Sequence, residues 1–357
     1  MKKFRAGLRS ENSTLGLRLW EFTGTALLNL FVFILLAVYL SPLSYMIVTS
    51  LKTRDQLQDG KAPLWPGEAQ SFEYDGKERP LYEVPTTSGI KQLALVEAHT
   101  QYSMLVDPAQ PDGGLIRING FYRSWDRVYS PKSTLKNYSQ LWQVLPYPHI
   151  LRNTLFVVVV SGIGVIFSSI AVAYGFSRFR IPGGRYLFIL LIATIMIPDS
   201  ILLLPSFVIY TRVLGWNGSY LPLIVPQFFG STVYIFLLRQ NFKSIPRDLD
   251  EAAMLDGASP LRILISIILP QSIPAVTTVV LLHFFNMWNE LRVSSLYLGT
   301  RNDLQTIAFT ATFTPTVGFT PEMLQASALL MLLVPAVVLF LSQRYFMQDM
   351  VITGLEK

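Results

Sequence analysis

Gln240 to Pro274 reads QNFKSIPRDLDEAAMLDGASPLRILISIILPQSIP and is the longest polar interruption in the second, very apolar half of the chain. Pro246 suits a first helical position, where its missing N–H would have no partner anyway. Asp248, Asp250 and Glu251 place negative charge in the first turns, where the helix dipole favours it. Gly257 supplies a stop that can adopt a left-handed conformation. Ser259 and Pro260 restart a helix as cap and first residue, and Pro270 and Pro274 end or kink it. The stretch therefore predicts a short helix, a Gly turn and a second helix between apolar segments. Ala252 and Ala253 let another backbone approach closely, as a docking knuckle on a membrane protein requires.

Glu251-Ala252-Ala253, three residues, Gly257, nine residues, Ile267, one residue and Leu269-Pro270 reproduce the full EAA motif. The chain thus resembles the membrane-spanning permease subunits of binding-protein-dependent ABC importers. The longer string FLLRQNFKSIPRDLDEAAMLDGAS, Phe236 to Ser259, is similar to the carbohydrate, maltose-type (MalG-like) branch. The resemblance implies a type I importer (MetI-like) permease fold over the second to sixth spans. It implies partners as well: ABC ATPase subunits, a second related permease and an extracytoplasmic solute-binding protein. The EAA helix, with Glu251, Ala252, Ala253, Asp256 and Gly257, would sit in a groove of the ATPase and transmit its closure.

Composition agrees. Hydrophobic residues make up 51% and charged residues only 15%, too apolar for an ordinary soluble domain. The net charge of +6 comes from basic residues flanking apolar spans, which fits membrane orientation better than nucleic-acid binding. Without cysteine there is no disulfide framework or thiol nucleophile. His99, His149 and His283 are scattered, so neither a metal site nor a cofactor is expected. The phosphate-cradling Gly-x-x-x-x-Gly-Lys-Ser/Thr is absent, as are His-Glu-x-x-His and Gly-x-Ser-x-Gly. The chain reads as a transport subunit that does not hydrolyse ATP itself.

In chain order, residues 1–51 form a basic cytoplasmic N-terminus and a first span, uncharged from Phe22 to Leu51, with Ser41-Pro42 expected to kink its outer end. Further spans are expected at Leu151–Phe176, Tyr186–Val213 (interrupted at Pro198-Asp199 and Pro205), Tyr220–Leu238, Ile273–Leu291 and Leu324–Phe346. The fold class is an all-α polytopic membrane protein with six transmembrane helices in the cytoplasmic (inner) membrane and both termini in the cytoplasm. The short inner loops, 178–185 and 239–262, hold three and four basic residues, in keeping with positive-inside orientation.

Residues 52–149 are the anomaly. Leu81–Val84, Lys91–Ala98, Thr100–Val106 and Leu115–Ile118 read as strands between turn signals. Flanking pieces typical of such permeases, Thr49–Thr53 and Ser133–Tyr138, are both present, so 54–129 reads as an extracytoplasmic β-rich insertion. Residues 150–357 are the permease core, with the coupling loop at 240–270.

Polar groups inside a membrane are costly and tend to mark transport routes. Asp199, beside Pro198, is one candidate. His283, Asn286 and Glu290 fall at i, i+3 and i+7 on the fifth span, with Trp288 and Asn289 alongside. Carboxylate, amide and indole suit a sugar. The other readings are a non-sugar solute, an ion-driven transporter, which lacks visible repeats, and a membrane-anchored scaffold or sensor, which leaves the EAA spacing unexplained.

Overall fold

The computed structural model describes residues 4–86, 89–299, 301–313 and 319–353. The chain divides into two compact units, Met1–Gln140 with Thr320–Leu329, and Leu141–Phe319 with Leu330–Lys357.

The first unit begins with α1 (Phe4–Ser50), which runs unbroken through Pro42. The expected kink therefore does not end the helix. After α2 (Arg54–Gln58) come β1 (Gly67–Ala69), β2 (Ser71–Tyr74), β3 (Lys77–Thr86), β4 (Gly89–Ala98), β5 (Tyr102–Val106), β6 (Ile116–Asn119), β7 (Asp126–Arg127) and β8 (Tyr129–Pro131). An antiparallel sheet runs β2-β3-β4-β5-β6, with β7 added to β3, and β1 pairs with β8. Period-two alternation buries both faces of the sheet. Val84, Leu93, Leu95, Leu105 and Trp125 form one cluster, and Leu81, Ala94, Val106 and Val128 form another. All four expected strands fall within or against β3 to β6, although β5 starts at Tyr102 rather than Thr100.

The sheet is rooted at the end of α1. Asn137 Nδ2 donates to the carbonyls of Ser50 (2.7 Å) and Lys52 (2.8 Å), and Thr134 N–H donates to Leu51 O at 3.0 Å. These bonds occupy carbonyls that a helix end leaves unpaired. The two flanking pieces singled out in the sequence are thus bonded to each other.

After α3 (Lys136–Val144), the second unit is built on α4 (Tyr147–Arg178). Its small residues bring neighbours close. A Cβ on Gly164 would stand 2.4 Å from the Phe228 ring, and Ser161 Oγ lies 2.9 Å from His283 Nε2. The further helices are α5 (Gly184–Ala193), α6 (Asp199–Val208), α7 (Leu221–Ile224), α8 (Thr232–Ser244), α9 (Asp248–Leu255), α10 (Pro260–Ile263), α11 (Leu269–Gln271), α12 (Ile273–Trp288), α13 (Arg292–Leu298), α14 (Ile307–Phe313) and α15 (Pro321–Thr353). Tyr174, Leu238, Phe242, Ile263 and Val279 belong to a core that joins α4, α8, α10 and α12.

Among the described residues, four helices are long and apolar enough to cross a membrane, and up to six if each of two bent pairs is one span. One pair bends by 90° between Met196 and Asp199, at the Pro198 break expected from the sequence. The other bends by 81° between Gln271 and Ile273, amid Pro270 and Pro274.

Candidate functional site

The knuckle opens later than expected. Pro246 lies outside the helix, because the carbonyl that starts it belongs to Arg247, which accepts the amides of Asp250 (2.9 Å) and Glu251 (3.1 Å). Asp248, Asp250 and Glu251 do occupy the first turn of α9. Its end is a Schellman motif: Ala258 N–H donates to Ala253 O at 2.9 Å and Gly257 N–H to Met254 O at 3.0 Å. Gly257 takes φ +77°, with open space around the position a Cβ would occupy, so the demand on it is conformational. Ser259 then caps α10 by accepting from Arg262 N–H.

Glu251, Ala252 and Asp256 are exposed, whereas Ala253 and Ala258 pack against the core. The tip also presents Leu255, 90% exposed, with Met254 and Leu261. An apolar tip rimmed by charge is the form of an interaction site.

Three contacts that the motif did not reveal clamp the knuckle to α4. Arg178 Nε lies 2.8 Å from Asp250 Oδ2, off the line of an ideal hydrogen bond, with both side chains buried. Arg247 donates to Ser177 O, and Tyr174 OH donates to Pro260 O at 2.9 Å. Asp250 reads in sequence as one more first-turn acid, and only the folded helix shows that it points inward.

A cleft of about 340 Å³ brings together Asp199, Asn286 and Glu290. Ser206, Tyr210, Gln227, Arg292 and Tyr297 line it too, none of them singled out from the sequence. Asp199 opens α6 directly after the Pro198 break, and Asn286 is exposed on α12. The fifth apolar helix ends at Trp288, not at Leu291, so Glu290 leaves the helical stripe and Asn289, alongside it, becomes the helix end. Glu290 instead caps α13: its carboxylate accepts the amides of Val293 (2.8 Å) and Ser294 (2.9 Å) and the Ser294 hydroxyl (2.7 Å). Carboxylate, amide, guanidinium and phenol groups together offer donors and acceptors to a hydroxyl-bearing solute.

His283 of the stripe, and Trp288 and Asn289 beside it, lie outside this cleft. His283 is buried against Ser161, with Tyr234 edge-on to its ring. Trp288 is 4% exposed and stacks on Phe284. Asn289 donates to Phe285 O and ends α12. Packing thus claims the indole that the sequence offers to a sugar ring.

Residues 164–352 match the family described as binding-protein-dependent transport system inner membrane component, and the chain belongs to that family. Its members are membrane-integral transport subunits rather than enzymes, and they work with an ATPase and a solute-binding protein. The osmoprotective-compound uptake permease GgtD of Synechocystis sp. is 28% identical over 74% of this chain and 90% of its own. The alpha-glucoside transport permease AglG of Rhizobium meliloti is 30% identical over 62% of this chain and 60% of its own. In fold, the chain is similar to a subunit of a bacterial ABC transporter that imports the acidic polysaccharide alginate. The TM-score is 0.61 at 17% identity, covering 92% of this chain and 97% of that one.

Proposed function

We propose that this chain forms half of the translocation path of an ATP-driven sugar or oligosaccharide importer, the other half being a second, related permease. Counting each bent pair as one span allows six crossings; the basic short loops then favour both termini in the cytoplasm and the β-sheet insert outside, where it meets the solute-binding protein. The observation that carries the reading is the knuckle: an exposed tip at Leu255, held in one conformation by Gly257 and tied to α4 through Asp250. A docked ATPase would move α4 with the tip, and the paired permeases would rock between inward- and outward-facing states. Carbohydrate cargo is supported by the likeness of Phe236–Ser259 to maltose-type permeases, by the alpha-glucoside relative and by the polar cleft. A non-sugar solute is the second reading, favoured by the osmoprotective-compound relative.

The cleft is proposed to lie on the solute route through Asp199 and Asn286, with Glu290 shaping it as a cap. Asp199→Leu and Asn286→Leu should lower ATP-driven uptake in reconstituted vesicles while the ATPase still copurifies. Wild-type uptake in both variants would remove the cleft from the route. Saccharides that stimulate ATP hydrolysis in the presence of the binding protein identify the cargo, and stimulation only by other solutes overturns the sugar assignment.

A further inference from the structure

The end of α4, the connector to α5 and the second half of α8 wall a cleft of about 580 Å³ in which Arg180, Arg185, Arg239 and Lys243 meet Phe176 and Phe188. No carboxylate lines it. Among the described residues none of these four cations has an acidic partner within 4.0 Å, whereas neighbouring Arg178 is paired with Asp250. Arg239 is held in place without a counter-charge: its guanidinium lies 3.8 Å over the Phe188 ring, and its Nε donates to Phe176 O at 3.3 Å. Four like charges around one cavity repel one another, and an anion between them relieves that repulsion.

From these observations we infer that the cleft binds an anionic phospholipid, the phosphodiester against the arginines and the acyl chains along α5. Guanidinium forks match phosphate oxygens in geometry as well as charge. The choice of a lipid over a soluble anion rests on the walls. Beyond the basic mouth, α5 exposes Tyr186, Leu187, Ile189 and Leu190, a continuous apolar face on a helix that belongs to one of the bent spans. A ligand with an anionic head and apolar tails satisfies both surfaces, while inorganic phosphate satisfies only the first. Basic pockets between transmembrane helices are suited to such headgroups. The inference needs the chain to sit in a bilayer, and it is independent of which solute is carried.

The test is native mass spectrometry of the full-length chain purified with its partner subunits from mixed phosphatidylglycerol and phosphatidylcholine vesicles. The wild type should retain phosphatidylglycerol in preference to phosphatidylcholine. Each cation near an anionic headgroup contributes about fivefold, so Lys243→Gln should weaken retention about fivefold and Arg180→Gln/Arg185→Gln roughly 25-fold. Arg212→Gln, a cation outside the cleft, should leave retention unchanged. Lys243 lies on α8 rather than on the connector, so it carries the test alone if the double variant inserts wrongly. Undiminished retention in Lys243→Gln, an equal loss in Arg212→Gln, or equal retention of phosphatidylcholine would each overturn the site. Displacement of the lipid by inorganic phosphate alone would make it a phosphate site instead. Retention by the chain purified alone but not by the assembly with its ATPase subunit would make it part of a protein interface.

Discussion

Gly257 and Asp250 fix the knuckle by opposite means, one by lacking a side chain and the other by burying a charged one. At φ +77° a β-branched residue is strained whatever the surrounding space, by roughly 1 kcal/mol or more. Gly257→Val should therefore leave the helices inserted while the ATPase detaches or hydrolyses ATP without moving solute; Gly257→Asn, which tolerates the left-handed region, should do so far more mildly. Copurification and uptake in vesicles check both, and normal coupled uptake in Gly257→Val would refute the coupling assignment. For Asp250 the expectation concerns stability. Removing one partner of a buried ion pair strands the other charge, at a cost of about 3–5 kcal/mol, whereas replacing both can be nearly neutral. Arg178→Met alone should melt well below wild type in detergent, and Arg178→Met/Asp250→Leu should recover much of the loss. Equal melting of the single and double variants would mean that the pair does not hold α9 to α4.

At the scale of elements, punctuation was legible and side-chain direction was not. Pro198, Gly257, Ser259 and the prolines around Ser272 mark real breaks in the backbone, whereas Pro42 and Pro205 lie inside α1 and α6, so the interruption expected at Pro205 does not occur. The end of α12 was misplaced because Asn289, Glu290 and Leu291 carry no proline or glycine to stop a helix. The stop comes from Glu290 turning to cap α13, a competition between local hydrogen bonds. Ending α12 at Trp288 takes Glu290 off the i, i+3, i+7 stripe, and His283 and Trp288 are buried. The hairpin joining β2 to β3 turns on Asp75-Gly76, both with positive φ, a dipeptide that favours such turns, but the acidic and basic residues around it hide the alternation of the strands. Close approach of α4 to the turn at residues 225–229 gives a further test. Gly164→Leu should clash with Phe228 and lower the melting temperature, and Phe228→Ala should restore it in the double variant. Additive losses would show that the two residues do not share a contact.

For the whole molecule, the proposed orientation makes a direct prediction: protease added outside intact spheroplasts should cut within residues 54–129 and spare the rest. A tag beside Asp112, on the exposed turn Pro111–Gly113, should be labelled from that side. Labelling only from the cytoplasm would invert the topology. On the proposed reading of 54–129 as an insertion, its root bears on its history as well. Because Thr134 bonds to Leu51, and Asn137 to the carbonyls on either side of it, the chain leaves and returns at one place. Loop-closure entropy grows only slowly with length, so what is strung between those points weighs little on α1. That place is a natural port, where a whole module can be gained, exchanged or excised while the helix beneath keeps its own end sealed.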